Sequence, residues 1–187
     1  MRHLSCLLFS LATLGCAPLG YLRPAGELLA DDRSYEVGVG AVRLGPRPYV
    51  IEEWHTTGQA WVTAAVSRSV EVTALGAFDD SGAAAGAALR WTPLHLQSFA
   101  LGGEMNLGYA WGALALPVAV RPVERLWIYS APRLGNQGVR LTPVVPVGLS
   151  LRTVDALMLR GEASWSWADF QSYQRRLHLA AGIAYQF

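Results

Sequence analysis

The twelve residues 176–187, RLHLAAGIAYQF, and the fourteen residues 155–168, DALMLRGEASWSWA, decide the fold. In the first, Leu177, Leu179, Ala181, Ile183, Tyr185 and Phe187 share one parity. Arg176, His178, Ala180, Gly182, Ala184 and Gln186 share the other. In the second, Leu157, Leu159, Gly161, Ala163, Trp165 and Trp167 alternate with Met158, Arg160, Glu162, Ser164 and Ser166. Residues 98–107 repeat the pattern, with Phe99, Leu101, Gly103, Met105 and Leu107 set against Ser98, Ala100, Gly102, Glu104 and Asn106. A period of two is the signature of a strand whose side chains point alternately to two faces.

The two faces differ in an informative way. One is apolar and nearly free of charge. The other carries Gly, Ala and Ser with a few ions. A water-soluble sandwich also alternates, but its polar face lies outside and is richly charged. Small inward residues suit a narrow lumen, and an uncharged outer face suits lipid. These segments predict an all-β fold, a closed antiparallel transmembrane β-barrel. A soluble lipocalin-like barrel is the rival.

Composition agrees. Of 187 residues, 52% are hydrophobic and only 16% charged, with seven Trp and seven Tyr, a mixture that a lipid-facing barrel needs. Beyond the N-terminal segment no apolar run reaches the length of about eighteen residues that a membrane helix requires. The net charge of +1 lacks the basic field of a nucleic-acid binder, so no nucleic-acid partner is expected.

Ten strands are predicted, near 34–43, 58–67, 69–79, 82–92, 96–107, 110–121, 125–132, 138–152, 155–167 and 176–187. An eight-stranded arrangement stays open if a weak segment is a loop. Pro117, Pro143 and Pro146 fall inside these strands and predict bulges or shortening, because proline cannot donate to the ladder. Four similar segments, 68–71 (RSVE), 92–95 (TPLH), 121–124 (RPVE) and 152–155 (RTVD), predict tight periplasmic turns. The connections 44–57, 79–82, 108–109, 133–137 and 168–175 would face outside. Phe78, Trp165 and Trp167 are expected at one membrane rim. Trp91, Trp127, Tyr129, Tyr185 and Phe187 are expected at the other. Trp61 and Trp111 fall on the inward parity.

The N-terminus reads as a targeting segment. Arg2 and His3 precede the short apolar run Leu4 to Leu14, and Thr13-Leu14-Gly15-Cys16 resembles a lipobox. Residues 1–16 are thus expected to be a signal peptide, with Cys16 lipidated. Ordinary cleavage after Ala17 is the alternative. Residues 17–33 are expected to be a periplasmic tether with Pro and Gly breaks, and residues 34–187 the barrel domain. Either cleavage removes Cys6, which leaves no cysteine pair for a disulfide or a metal.

Leu177 to Phe187 resemble the C-terminal signal of bacterial outer-membrane proteins, with Ile183, Tyr185 and Phe187 carrying the likeness. Together with the hairpin series, the chain from Ser34 resembles the small OmpA-type or OmpW-type barrels. The resemblance implies residence in the outer membrane, contact with its lipid, and recognition by the barrel-insertion machinery.

By parity the lumen would hold Glu36, Glu71, Arg90, Glu104, Arg140, Arg160, Glu162, Arg176 and His178. Buried ions must be paired, so the plain reading is a salt-bridge network that fixes the barrel's shape. The functional reading is a narrow polar pore. A third reading sets His178 opposite Ser164 or Ser166 with Glu162 near, the parts of an acyl-transfer site. No sequence motif surrounds either serine, so no catalytic residue is assigned. His55 beside Glu52 and Glu53 reads as a solvated loop in preference to a metal site, and no cofactor is expected. The sequence favours a non-enzymatic structural or interaction barrel in a cell-envelope assembly for secretion, adhesion or surface motility, with envelope protein partners. The alternatives are a narrow passive pore and, further off, an outer-membrane lipid hydrolase.

Overall fold

The computed structural model describes residues 22–45, 54–79, 82–108, 111–137, 140–167 and 175–187. The alternating segments form β1 (Tyr35–Leu44), β2 (His55–Ser67), β3 (Val70–Asp79), β4 (Gly82–His95), β5 (Phe99–Gly108), β6 (Trp111–Ala115), β7 (Val118–Val123), β8 (Leu126–Ser130), β9 (Arg133–Gln137), β10 (Arg140–Val154), β11 (Leu157–Trp167) and β12 (Arg175–Gln186). A short helix, α1 (Glu27–Ala30), precedes them.

The twelve segments make ten strands. β6 and β7 are one strand interrupted at Leu116–Pro117, and β8 and β9 are one strand interrupted at Ala131–Pro132. β5 accordingly pairs with both β6 and β7, and β10 with both β8 and β9. Pro146 lies on β10 where it changes partner, between Val144↔Arg133 and Val147↔Ser130. The prolines of three neighbouring strands therefore share one gap in the ladder, as their missing N–H groups require. Pro143 stays in register opposite Leu134.

Every pairing is antiparallel, and β12 pairs with β1 from Glu36↔Gln186 to Leu44↔His178, which closes the ring. The last rung of this seam belongs to Phe187. Its carbonyl accepts from the amides of Ser34 and Tyr35 at 3.1 and 2.9 Å, and its own amide donates to Tyr35 at 3.0 Å. Its ring stacks on Tyr35 at 6.0 Å.

Parity governs exposure around the wall. Val39, Leu89, Trp91, Met105, Leu149, Leu159, Ile183 and Tyr185 all face outward and are well exposed. Soluble monomers rarely carry an apolar surface this continuous, whereas a bilayer demands it. The molecule is a closed, ten-stranded, antiparallel transmembrane β-barrel.

Four expectations are corrected. Residues 133–137 are the strand β9, not a connection. Residues 92–95 end β4, and the turn falls at Leu96–Ser98, because Pro93 sits in a bulge between Trp91 and Leu94. Trp127 and Tyr129 do not join a lipid-facing rim. They are 1% and 3% exposed and point inward, with Ile128 outside. Finally, the segment from Leu22 to Arg33 is no free tether, since Leu22, Ala25 and Leu28 are buried as deeply as any wall residue. Glu52, Glu53, residues 1–16, which are expected to be a signal peptide ending at Cys16, and residues 17–21 lie outside the described residues.

The lipid reading is testable on Leu149, which is 51% exposed on the outer face of β10. Leu149→Arg is expected to destabilise the barrel in a bilayer by roughly 2–4 kcal/mol. Urea titration of unfolding in phospholipid vesicles measures it. A neutral or stabilising effect would mean that water, not lipid, covers this wall.

Candidate functional site

Among the described residues, ionised side chains gather out of water in the lumen, and a piece of the chain itself occupies it. Ten strands enclose more room than side chains alone fill at eight. The inward residues are also small where the inserted segment passes. Leu22 lies over the facing glycines Gly40 and Gly182, where an added Cβ would come within 3.2 and 3.0 Å of its Cδ1. Ala25 packs on Ala100, Ala119, Trp127 and Tyr129. Gly26, with φ of 68°, brings its backbone against Ala100, where an added Cβ would lie 2.8 Å from that side chain. Positive φ and lack of space both favour glycine there. The small inward residues thus make room for a stopper, which the sequence pattern alone does not reveal.

Ion pairs lock this stopper to the wall. Arg160 on β11 is the hub. It donates to both oxygens of Glu36 at 2.7 and 2.6 Å, to the carboxylate of Glu27 on α1, and to the carbonyl of Leu22 at 2.9 Å. Glu36 also accepts from the Trp61 indole at 2.8 Å and from Gln186 at 2.9 Å. Glu27 accepts from the Ser150 hydroxyl at 2.7 Å. Arg23 of the stopper reaches Glu71 at 2.5 Å and lies 3.6 Å from Glu36. Arg90 binds Glu104 through its Nε at 2.6 Å, and a second nitrogen donates to the carbonyl of Pro24 at 2.8 Å. Asn106 donates to the other Glu104 oxygen at 2.7 Å.

The foot of the stopper is held separately. Asp31 accepts from Arg121 at 3.0 Å and pairs with Arg152. The Arg121 guanidinium lies over the Trp127 ring, 5.5 Å from its centre. Arg33 donates to the carbonyl of Asp155 at 3.0 Å, beside the start of the wall.

The structure brings five of the nine inward ions expected from parity, Glu36, Glu71, Arg90, Glu104 and Arg160, into contact with the stopper or one another. Glu162 sits apart from this cluster, 3.7 Å from Arg133. Arg176 is half-buried at the start of β12. The side chain of Arg140 lies outside the described residues. The inward groups that parity did not supply are Arg23, Glu27, Asp31, Arg121, Arg133 and Arg152. Arg23 and Glu27 stand four apart among leucines, a helical spacing that Pro24 and Gly26 disguise. Arg133 escapes because Pro132, just before it, reads as a strand end in the sequence.

The acyl-transfer arrangement is only partly assembled. Ser164 faces His178 in the ladder, and the Ser166 hydroxyl lies 2.7 Å from His178 Nε2. The other imidazole nitrogen, Nδ1, has no hydrogen-bond partner, and Glu162 stands by Arg133 instead of orienting it. His55 lies 3.0 Å from Asp79. No group of three metal-ligating side chains exists among the described residues.

No protein-family model and no curated protein matches this sequence. Solved structures match in fold. The KdgM porin is 7% identical over 81% of this chain and 99% of that one, with a TM-score of 0.54. The NanC porin is 9% identical over 82% of this chain and 100% of that one, with a TM-score of 0.50. At such identities the likeness establishes the transmembrane-barrel fold alone.

Removing the hub should cost more than removing a peripheral pair. Arg160→Gln leaves Glu27 and Glu36 buried without their main partner, and about 3–5 kcal/mol of stability should be lost. Arg133→Gln breaks only a 3.7 Å contact and should cost clearly less. Denaturant midpoints of the two refolded variants in detergent micelles make the comparison.

Proposed function

We propose that this chain is a non-enzymatic barrel of the bacterial outer membrane, stoppered at rest. It serves a cell-envelope assembly as a fixed platform and not as an open passive pore. The observation that carries this reading is the inserted segment Leu22–Arg33, latched by Arg160 and Arg23 across the lumen. A permanently open pore needs a water-filled axis. Here α1 and the residues before it take that space. The seam that ends on Ile183, Tyr185 and Phe187 supports insertion by the outer-membrane assembly machinery, and the apolar belt supports residence in that bilayer. The short turns would face the periplasm and the longer connections the surface, which leaves the rims as the places where protein partners dock.

Conductance decides between platform and open pore. The wild-type protein in a planar lipid bilayer is expected to show a silent baseline at moderate voltage. Sustained open-channel current from the unmodified chain would overturn the reading. The hydrolase alternative has its own test. Replacing Ser164 and Ser166 together by Ala should leave cellular lipid profiles unchanged on mass spectrometry, since no acid among the described residues orients His178. A lost or accumulated lipid species in that variant would restore it.

A further inference from the structure

We infer that the stopper is removable, and that the barrel becomes a gated aqueous channel for small hydrophilic solutes when residues 22–33 leave the lumen. The inference rests on the membrane-barrel reading above and adds a second state to it.

Three observations carry it. First, the wall behind the stopper is built for water. Thr63, Thr73, Thr92, Ser150, Asn106 and Gln186 all point inward at 0–1% exposure, alongside the ions. A core meant to stay dry would be apolar, because each buried polar group costs free energy unless it is well bonded. The hydroxyl of Thr92, one oxygen of Glu71 and the amide oxygen of Asn106 have no hydrogen-bond partner among the described residues with the stopper in place.

Second, two ion pairs of the wall do not depend on the stopper. Arg160 pairs with Glu36, and Arg90 with Glu104, all four on strands. The stopper's lumen-filling part brings one cation, Arg23, and one anion, Glu27, which leave together, while at its foot Asp31 releases Arg121 and Arg152. Glu71 loses Arg23, and Arg90 stands opposite it in the ladder register.

Third, the stopper has little structure of its own to lose. It contains one helical turn of four residues, and its grip depends on side chains more than on a backbone ladder. Breaking a few side-chain contacts frees it, whereas freeing a strand would break the ring. Elements of this kind are drawn from the low-stability end of a fold.

The test changes the stopper and spares the wall. R23Q/E27Q removes both charges, leaving a polar amide at each position. In planar bilayers the folded full-length variant should show discrete openings, with an open probability at least ~10-fold above wild type, corresponding to loss of about 1.4 kcal/mol of latch energy. Should that variant fail to fold, A119C with the native stopper gives the answer. Ala119 is 1% exposed beneath Ala25, so a thiol there reacts with a membrane-impermeant maleimide only while the stopper is out. Complete labelling in the folded barrel, read by peptide mass, is expected. A silent, folded R23Q/E27Q barrel overturns the inference. So does an A119C thiol that stays unlabelled while the protein remains folded. Either result leaves the sealed platform intact, whereas steady current from the wild type would remove the platform itself.

Discussion

A closed ring of strands shuts ionised side chains away from bulk water, and every one of them must then find a counter-charge at close range. The rest of this molecule depends on that constraint, and Arg160 meets it. One guanidinium joins the wall carboxylate Glu36, the stopper carboxylate Glu27 and the backbone of Leu22. Because Arg160 stands on β11 and its partners come from β1 and the inserted segment, the pairing ties the segment to two wall strands, and Gln186 of β12 joins it at the seam by donating to Glu36. The planar fork of arginine suits this task, since it binds several oxygens at once in fixed directions.

The barrel was legible in the sequence because lipid imposes a strict rule on one face. Wherever the outer parity is uninterrupted, as from Leu157 to Trp167 and from Leu177 to Phe187, strand and orientation follow directly. Legibility failed where that rule is silent. The run from Leu126 to Gln137 is punctuated by Pro132, so its second half looked like a loop and Arg133 was hidden with it. Trp127 and Tyr129 were misplaced because aromatic residues suit both a membrane rim and a packed interior. Only the parity of Ile128 separates the two cases.

The stopper was the least legible element, and the reason is physical. A segment that packs inside a barrel touches walls on every side, so it needs no periodic apolar face. Leu22 and Ala25 pack in separate clusters of wall residues, and their spacing of three, continued by Leu28, is crossed by Pro24 and Gly26. The trace it leaves lies elsewhere in the chain, in Gly40, Gly182, Ala100 and Ala119, whose small size reads as crowding until the occupant is seen. The ion network was legible in part for a related reason. Parity finds ions that strands point inward, and it cannot find the ones an inserted segment contributes.

The repeated turn segments acquire a meaning that turn chemistry did not give them. Arg121 and Arg152 hold the first place of RPVE and RTVD, and each precedes a bulge and a tight two-residue turn. Both converge on Asp31. Two equivalent hairpins therefore act as a pair of jaws on one carboxylate. Such a grip is redundant, since either jaw alone still neutralises the charge. An internal duplication of hairpins would thus have done more than lengthen the wall. It would have made the anchorage of the stopper's foot tolerant to the loss of either arginine, while the single hub above it has no spare.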